Sequence, residues 1–222
     1  MVIKGTDINR FQALNSAVGI INEGGIVAYP TETFYGLGVR FDIEKSLKRL
    51  YEIKQRPHEK AMPLIIGSAD LLPVVTESVN TTAMSLIDRF WPGPLTLIFH
   101  AKEGLSDFIT AGTHKVAVRI PGDSFALELA KLINLPITAT SANPSGRSPA
   151  RDAETVIRYF GEEIDLVIDC GPAPGGLPST IIDVTGDKIK LMREGVITKE
   201  SLSAPQLNIS RCLLRKPFEP HK

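Results

Sequence analysis

The stretch Tyr29-Pro-Thr-Glu-Thr-Phe-Tyr-Gly-Leu-Gly38 decides how the rest of the chain is read. A short apolar run, Ile26 to Tyr29, leads into two threonines, a glutamate and two glycines. The run reads as a buried strand, and the residues after Tyr29 read as a loop leaving the strand's end. Hydroxyls and backbone amides in such a loop can hydrogen-bond a small polar ligand, and the glycines let backbone come close to it. The loop reads equally well as a plain strand-to-helix connection. Loops at strand ends in α/β folds often bind ligands.

Outward from this stretch, helical and strand patterns alternate. Upstream, Phe11, Leu14, Val18 and Ile21 recur at helical spacing, and Gly24-Gly25 ends that helix. Downstream, Asp42 is placed to cap a helix carrying Ile43, Leu47 and Leu50. Strands are expected at 63–66, 95–99, 116–120, 137–140, 166–169 and 180–184, with helical stripes at 83–90, 125–133 and 153–160. Gly186-Asp187 turns the chain into Lys188 to Met192 as a hairpin. Helices alternating with strands predict an α/β fold. The hairpin and the closely spaced strands predict a mixed parallel and antiparallel sheet with helices on its faces. We expect one catalytic domain over 1–204. Residues 205–222, with three prolines and Arg211, Arg215 and Lys216, read as a tail.

The 222 residues carry 25 Lys+Arg and 25 Asp+Glu, so the net charge is zero. A chain that holds nucleic acid by its overall field is usually more basic. Anion binding must come from local placement of cations. Cys170 and Cys212 are far apart and lack metal-type spacing, which suits a reducing compartment. No apolar run approaches the ~20 residues of a membrane span. The expected location is cytoplasmic.

A second stretch, Lys54-Gln-Arg-Pro-His-Glu-Lys60, brings cations together. Lys54 follows Leu47 and Leu50 by seven and four positions, so it continues the buried face of the helix. Lys54, Arg56 and Lys60 can hold a triphosphate; cations at a helix C-terminus also simply answer the helix dipole. A third stretch, Pro136-Ile-Thr-Ala-Thr-Ser-Ala-Asn-Pro-Ser-Gly-Arg147, ends a strand in hydroxyl and amide groups. It can donate to phosphate or carboxylate oxygens, or be a plain polar turn. Arg119 ends an apolar strand and needs a carboxylate partner, from a ligand or from the protein itself. Ser179 follows a flexible stretch, Gly171 to Pro178, that could act as a cover, and Arg193 ends the last hairpin. No metal motif, covalent nucleophile or strong general base stands out. This inventory suits positioning and charge neutralisation, as in phosphoryl and nucleotidyl transfer.

Together these stretches resemble the YrdC/YciO family over roughly residues 8 to 200. Pro30 to Gly38 is similar to its first signature, and Lys54 and Arg56 with Ser141 and Asn143 to its KxR and SxN elements. Trp91-Pro-Gly-Pro-Leu-Thr96, Val116-Ala-Val-Arg-Ile-Pro121 and Pro178-Ser-Thr-Ile-Ile-Asp183 match further segments. The resemblance implies a twisted open sheet with a large, concave, positively charged cavity. It implies that L-threonine, bicarbonate and ATP, with magnesium on the phosphates, give threonylcarbamoyl-AMP and pyrophosphate for tRNA modification. It places Lys54, Arg56, Ser141 and Asn143 on the phosphates, with Thr110, Ser148 and Arg193 as further nucleotide residues. It places Thr31, Thr140 and Ser179 at the threonine end, with Arg119 on the substrate carboxylate. It implies the short form of the family, which works with separate threonylcarbamoyl-transferase proteins. Two alternatives stand beside it. One is a double-stranded RNA module using Lys45, Lys48, Arg49, Lys54 and Arg56 as a basic stripe. The other is a YciO-type paralogue with a different substrate.

Overall fold

The computed structural model describes residues 1–6 and 8–203. The expected tail, 205–222, lies outside the described residues. Along the chain come β1 (Val2–Lys4), α1 (Arg10–Asn22), β2 (Val27–Pro30), β3 (Tyr35–Gly38), α2 (Glu44–Lys54), β4 (Leu64–Ile65), α3 (Leu72–Val75) and α4 (Thr81–Phe90). Next are β5 (Leu95–His100), α5 (Asp107–Thr110), β6 (Lys115–Arg119), α6 (Phe125–Ile133), β7 (Ile137–Thr138) and β8 (Thr140–Ser141). Last are α7 (Ala153–Phe160), β9 (Leu166–Asp169), β10 (Thr180–Asp183), β11 (Lys190–Arg193) and α8 (Lys199–Ser203).

The strands form two mixed sheets, in orders β1-β9-β2-β3-β8 and β11-β10-β5-β6-β4-β7. The expected mixture of pairings is present: β2 runs parallel to β9 and antiparallel to β3, and β5 runs parallel to β10 and antiparallel to β6. The division in two is new, and one stretch of chain joins the halves. Residues 137–138 pair with β4 in the second sheet, and 140–141 pair with β3 in the first. An isolated bridge, Arg40 to Ile137, carries the β3 pairing across the gap.

The opening stretch is a hairpin. Its second half is the strand β3 rather than a loop, with Val27 opposite Gly38 and Tyr29 opposite Gly36. Both faces of this hairpin are buried. Ala28, Tyr35 and Leu37 enter one core, and Val27 and Tyr29 enter a second, under α1 and α6. A strand covered on both faces lacks polar alternation. The two glycines leave room for the Tyr29 ring. A β-carbon on Gly38 would lie 2.7 Å from the Tyr29 ring, and one on Gly36 3.4 Å from it. The Tyr29 hydroxyl reaches over the glycines to donate to the Thr138 carbonyl at 3.0 Å.

Local chemistry explains most helix starts. Asn80, Ser124 and Asp152 each accept from a backbone N–H in the first turn of α4, α6 and α7. Asp42 does not cap α2 as expected. It faces Arg40 instead, with contacts of 2.9 and 2.6 Å, and Ile43 takes the cap position. Phe11 also departs from expectation and is 74% exposed. The buried face of α1 is Ala13, Leu14, Ala17 and Ile21. At about 100° per residue, Phe11 points roughly 100° from the centre of that face.

Gly38→Ala is expected to push the Tyr29 ring off the hairpin and lower unfolding free energy by about 1–3 kcal/mol. The urea midpoint measures this. An unchanged midpoint would show that the ring is not confined there.

Candidate functional site

Lys54 ends α2 on the face that buries Leu47 and Leu50, and it is 2% exposed. Its Nζ donates to the carbonyls of Ser141 at 2.5 Å and Asn143 at 2.7 Å. Its own carbonyl accepts from the Ser145 N–H at 2.8 Å. Burial, and after it the charge of Arg56, lower the amine pKa from 10.5 to about 7. The Asn143 side chain donates from Nδ2 to the Pro144 and Arg147 carbonyls, at 3.0 and 2.7 Å. Its Oδ1 is buried without a partner. The Ser141 and Ser148 side chains are exposed. Arg56 folds back on its own loop, donating to the Lys60 and Ala61 carbonyls at 3.0 and 2.7 Å. The Tyr51 hydroxyl lies 2.5 Å from the Lys60 carbonyl and 2.7 Å from that of Phe108. It thereby ties this loop to α5, which Thr110 ends as a buried residue.

A second group collects around Arg119, at the end of β6 and 8% exposed. Its guanidinium donates to Glu32 Oε1, and the two form an ion pair with side-chain exposures of 10% and 17%. Glu32 Oε2 is buried without a partner. Thr31 closes the hairpin turn, donating to the Phe34 carbonyl at 2.8 Å and accepting from the Thr33 and Phe34 amides. The Ser179 hydroxyl lies 3.0 Å from that of Thr96 and 3.1 Å from an Arg193 nitrogen. Arg193 donates twice more to the Ser179 carbonyl, and among the described residues it makes no ion pair. Burial, and then the charge of Arg119, lower the Arg193 pKa.

The two groups meet at the β3–β8 pairing. Ser141 is opposite Gly36 and Thr140 is opposite Leu37. A β-carbon on Gly36 would lie 3.6 Å from both the Thr140 carbonyl and the Thr31 methyl. The stretch 171–178 is pinned across the hairpin turn. The Gly175 N–H donates to the Thr33 carbonyl at 2.6 Å, and the Tyr35 hydroxyl to the Gly171 carbonyl at 2.7 Å. Gly171, Gly175 and Gly176 all take positive φ, which lets the stretch follow this path.

Glu32 is the residue that sequence reading missed. The signal for it was the unmet need of Arg119 for a carboxylate, which the protein itself supplies. Two surface cavities, of about 360 and 480 Å³, lie elsewhere, beside Gly24, Gly25 and Arg49 and beside His58 and Phe108. Neither is lined by a residue placed above on the nucleotide or on the threonine. Among the described residues, no three His, Cys, Asp or Glu side chains group as a metal cage. No helix among them is long and apolar enough to cross a membrane.

The Sua5_yciO_yrdC family model, described as telomere recombination, matches residues 19–195. The chain belongs to this family. It is 40% identical over 186 residues to a threonylcarbamoyl-AMP synthase of Pyrococcus abyssi, covering 84% of this chain and 55% of that protein. It is 35% identical over 184 residues to one of Idiomarina loihiensis, covering 82% of this chain and 96% of that protein. The chain thus spans about half the length of the first relative and nearly all of the second. The structure of P. abyssi Sua5 complexed with L-threonine matches with a TM-score of 0.86 and 38% identity, over 91% of this chain and 59% of that one. E. coli YciO matches with a TM-score of 0.76 and 26% identity, over 88% of this chain and 95% of that one.

The buried lysine makes a prediction about stability. Folding lowers the Lys54 pKa, so between about pH 7 and 10.5 the unfolded chain holds more protons at this site than the folded one. The contribution of Lys54 to stability therefore rises with pH across that window and is lost as pH falls towards 7. Lys54→Met should reduce the slope of stability against pH there by up to about 1.4 kcal/mol per pH unit. Urea midpoints at a series of pH values check this. A slope unaltered by the substitution would contradict a neutralised, buried amine.

Proposed function

We propose that the chain forms threonylcarbamoyl-AMP and pyrophosphate from L-threonine, bicarbonate and ATP, as a nucleotidyltransferase serving threonylcarbamoyladenosine formation at tRNA position 37. The observation that carries this reading is the meeting of the two groups along β3 and β8. One is a cationic group on Lys54, and the other centres on Arg119. The reaction needs two such ends. Threonine amine and bicarbonate condense to a carbamate with loss of water, and a carbamate oxygen attacks the α-phosphorus of ATP. Pyrophosphate leaves, so the main demand on the protein is to hold anionic oxygens in place.

In this reading Lys54 and Arg56 neutralise the phosphates, Ser141 and Ser148 donate to them, and Asn143 sits beside them with its Oδ1 free to meet their counter-ion. Thr110 and Arg193 complete the nucleotide side. Thr31, Thr140 and Ser179 line the threonine side, and Arg119 meets the threonine carboxylate. Magnesium would arrive with the nucleotide. Hard oxygen donors such as the Ser141 hydroxyl and the unpartnered Asn143 Oδ1 fit that ion, whose remaining ligands are phosphate oxygens and water. The adenylate is labile, so separate threonylcarbamoyl-transferase proteins are the natural acceptors. The likeness to an L-threonine-bound Sua5 at 38% identity supports this substrate over that of a YciO-type paralogue, at 26%.

The RNA-module reading loses its basic stripe. Lys54 is buried, Arg49 pairs with Asp165 at 2.7 Å, and Arg56 is folded onto its loop, which leaves Lys45 and Lys48 exposed on α2.

Purified protein should release pyrophosphate from ATP when L-threonine and bicarbonate are both present, with L-serine as the control. Release that ignores threonine would sink the proposal. Lys54→Ala and Arg56→Ala should each lower turnover by roughly 10²-fold or more while the protein stays folded. Arg119→Ala should mainly raise the KM for threonine. Collapse of ATP affinity with threonine affinity intact would mean the two ends are assigned the wrong way round.

A further inference from the structure

Arg56 lies just past the end of α2, and one edge of its guanidinium is already occupied. Nε donates to the Lys60 carbonyl at 3.0 Å and Nη2 to the Ala61 carbonyl at 2.7 Å. A guanidinium carries five N–H donors in a planar fork. The two carbonyls take the edge that Nε shares with Nη2. The edge between Nη1 and Nη2 still offers the paired donors that fit a phosphate. Tyr51 sets where the occupied edge lies. It is buried on α2, three residues before Lys54. Its hydroxyl lies 2.5 Å from the same Lys60 carbonyl, and its own carbonyl accepts from the Arg56 N–H at 3.0 Å. Its ring centroid is 6.0 Å from the Arg56 guanidinium carbon. The hydroxyl is also 2.7 Å from the Phe108 carbonyl, but it has one proton, and that carbonyl already accepts from the Met62 N–H at 3.2 Å. The Lys60 carbonyl is therefore the acceptor for which the hydroxyl matters most. The ring itself packs against His58 and Phe108, with centroids 5.7 and 4.9 Å away.

We propose that Tyr51 is a positioning residue for the nucleotide: through the Lys60 carbonyl, its hydroxyl holds the Arg56 guanidinium with the outer edge presented to the phosphates. The assignment rests on the ATP-using reaction proposed above and adds a residue that acts on it through Arg56. A free arginine side chain loses rotamer freedom when it meets a phosphate, whereas a moored one has lost it on folding. Donors already in place when charge develops stabilise it without reorganising. Removal of the hydroxyl leaves the Arg56 N–H bond and the ring contact intact. Arg56 then stays near the site but is loosely aimed, so the loss falls on turnover rather than on threonine.

The test is a double-mutant cycle on the whole chain, read as pyrophosphate release from ATP with L-threonine and bicarbonate. Tyr51→Phe should lower kcat by roughly 10-fold and leave the KM for threonine unchanged. In an Arg56→Ala background the same substitution should change kcat by less than about 2-fold, because the group it positions is gone. A Tyr51→Phe protein with wild-type kcat would overturn the proposal. So would a loss of the same size in both backgrounds, which is what a merely structural hydroxyl would give. If Tyr51→Phe does not fold, nitrogen NMR of labelled arginines in the wild type decides. The Arg56 Nε–H signal, identified by its absence in Arg56→Ala, should be that of an ordered, hydrogen-bonded group before any ATP is added. A guanidinium rotating freely in the nucleotide-free protein would overturn the assignment. A wild type that neither binds ATP nor releases pyrophosphate would refute the proposed reaction, and the role of Tyr51 with it.

Discussion

The chain from Ile137 to Asn143 is the constraint on which the rest of the site depends. It pairs with β4 at one end and β3 at the other, so it belongs to both sheets. Thr138 locks the crossing. Its N–H donates to the Val39 carbonyl at 2.9 Å, and its hydroxyl accepts from the Val39 N–H at 3.0 Å. Lys54 then hooks the far end through the Ser141 and Asn143 carbonyls. Thr140, Ser141 and Asn143 are therefore set by backbone shared between two sheets. A site held on paired strands is positioned more closely than one on free loops.

The electrostatics arise from burial rather than from composition. The chain is neutral overall, so no broad field draws anions to it. Instead, Lys54 and Arg119 are taken out of water at two adjoining points. Burying a cation without compensation is costly, and here each has a different answer. Lys54 has two carbonyls and a lowered pKa, whereas Arg119 has the Glu32 carboxylate. An anion reaching Lys54 meets an amine that gains from becoming charged.

Much of this was legible in the sequence, for physical reasons that can be named. Leu47, Leu50 and Lys54 share one helix face, so spacing alone placed the lysine inward. Helical spacing marked the stripes at 83–90, 125–133 and 153–160, and the apolar runs marked strands. The strand β3 was hidden because both faces of the hairpin are buried and its glycines make room for Tyr29. The division into two sheets was also hidden, since periodicity reports which face is buried and not which strand lies beside which. Arg119 announced its need for a carboxylate, but 87 residues separate it from Glu32, and only the fold brings them together. The three-residue edge strand β1 is partly exposed and gave too little pattern to read. The ligand roles of Lys54 and its neighbours came from family resemblance, because hydroxyls and cations in a polar loop fit several chemistries.

The proposed reaction turns on Lys54, whose amine burial makes easier to deprotonate, meeting the nucleotide phosphates as a cation. Calorimetry of ATP binding near pH 8.5, repeated in buffers of different ionisation enthalpy, measures the protons exchanged. The account predicts net proton uptake on binding, lost in Lys54→Met. Binding with no proton uptake, or with uptake that survives the substitution, would contradict it.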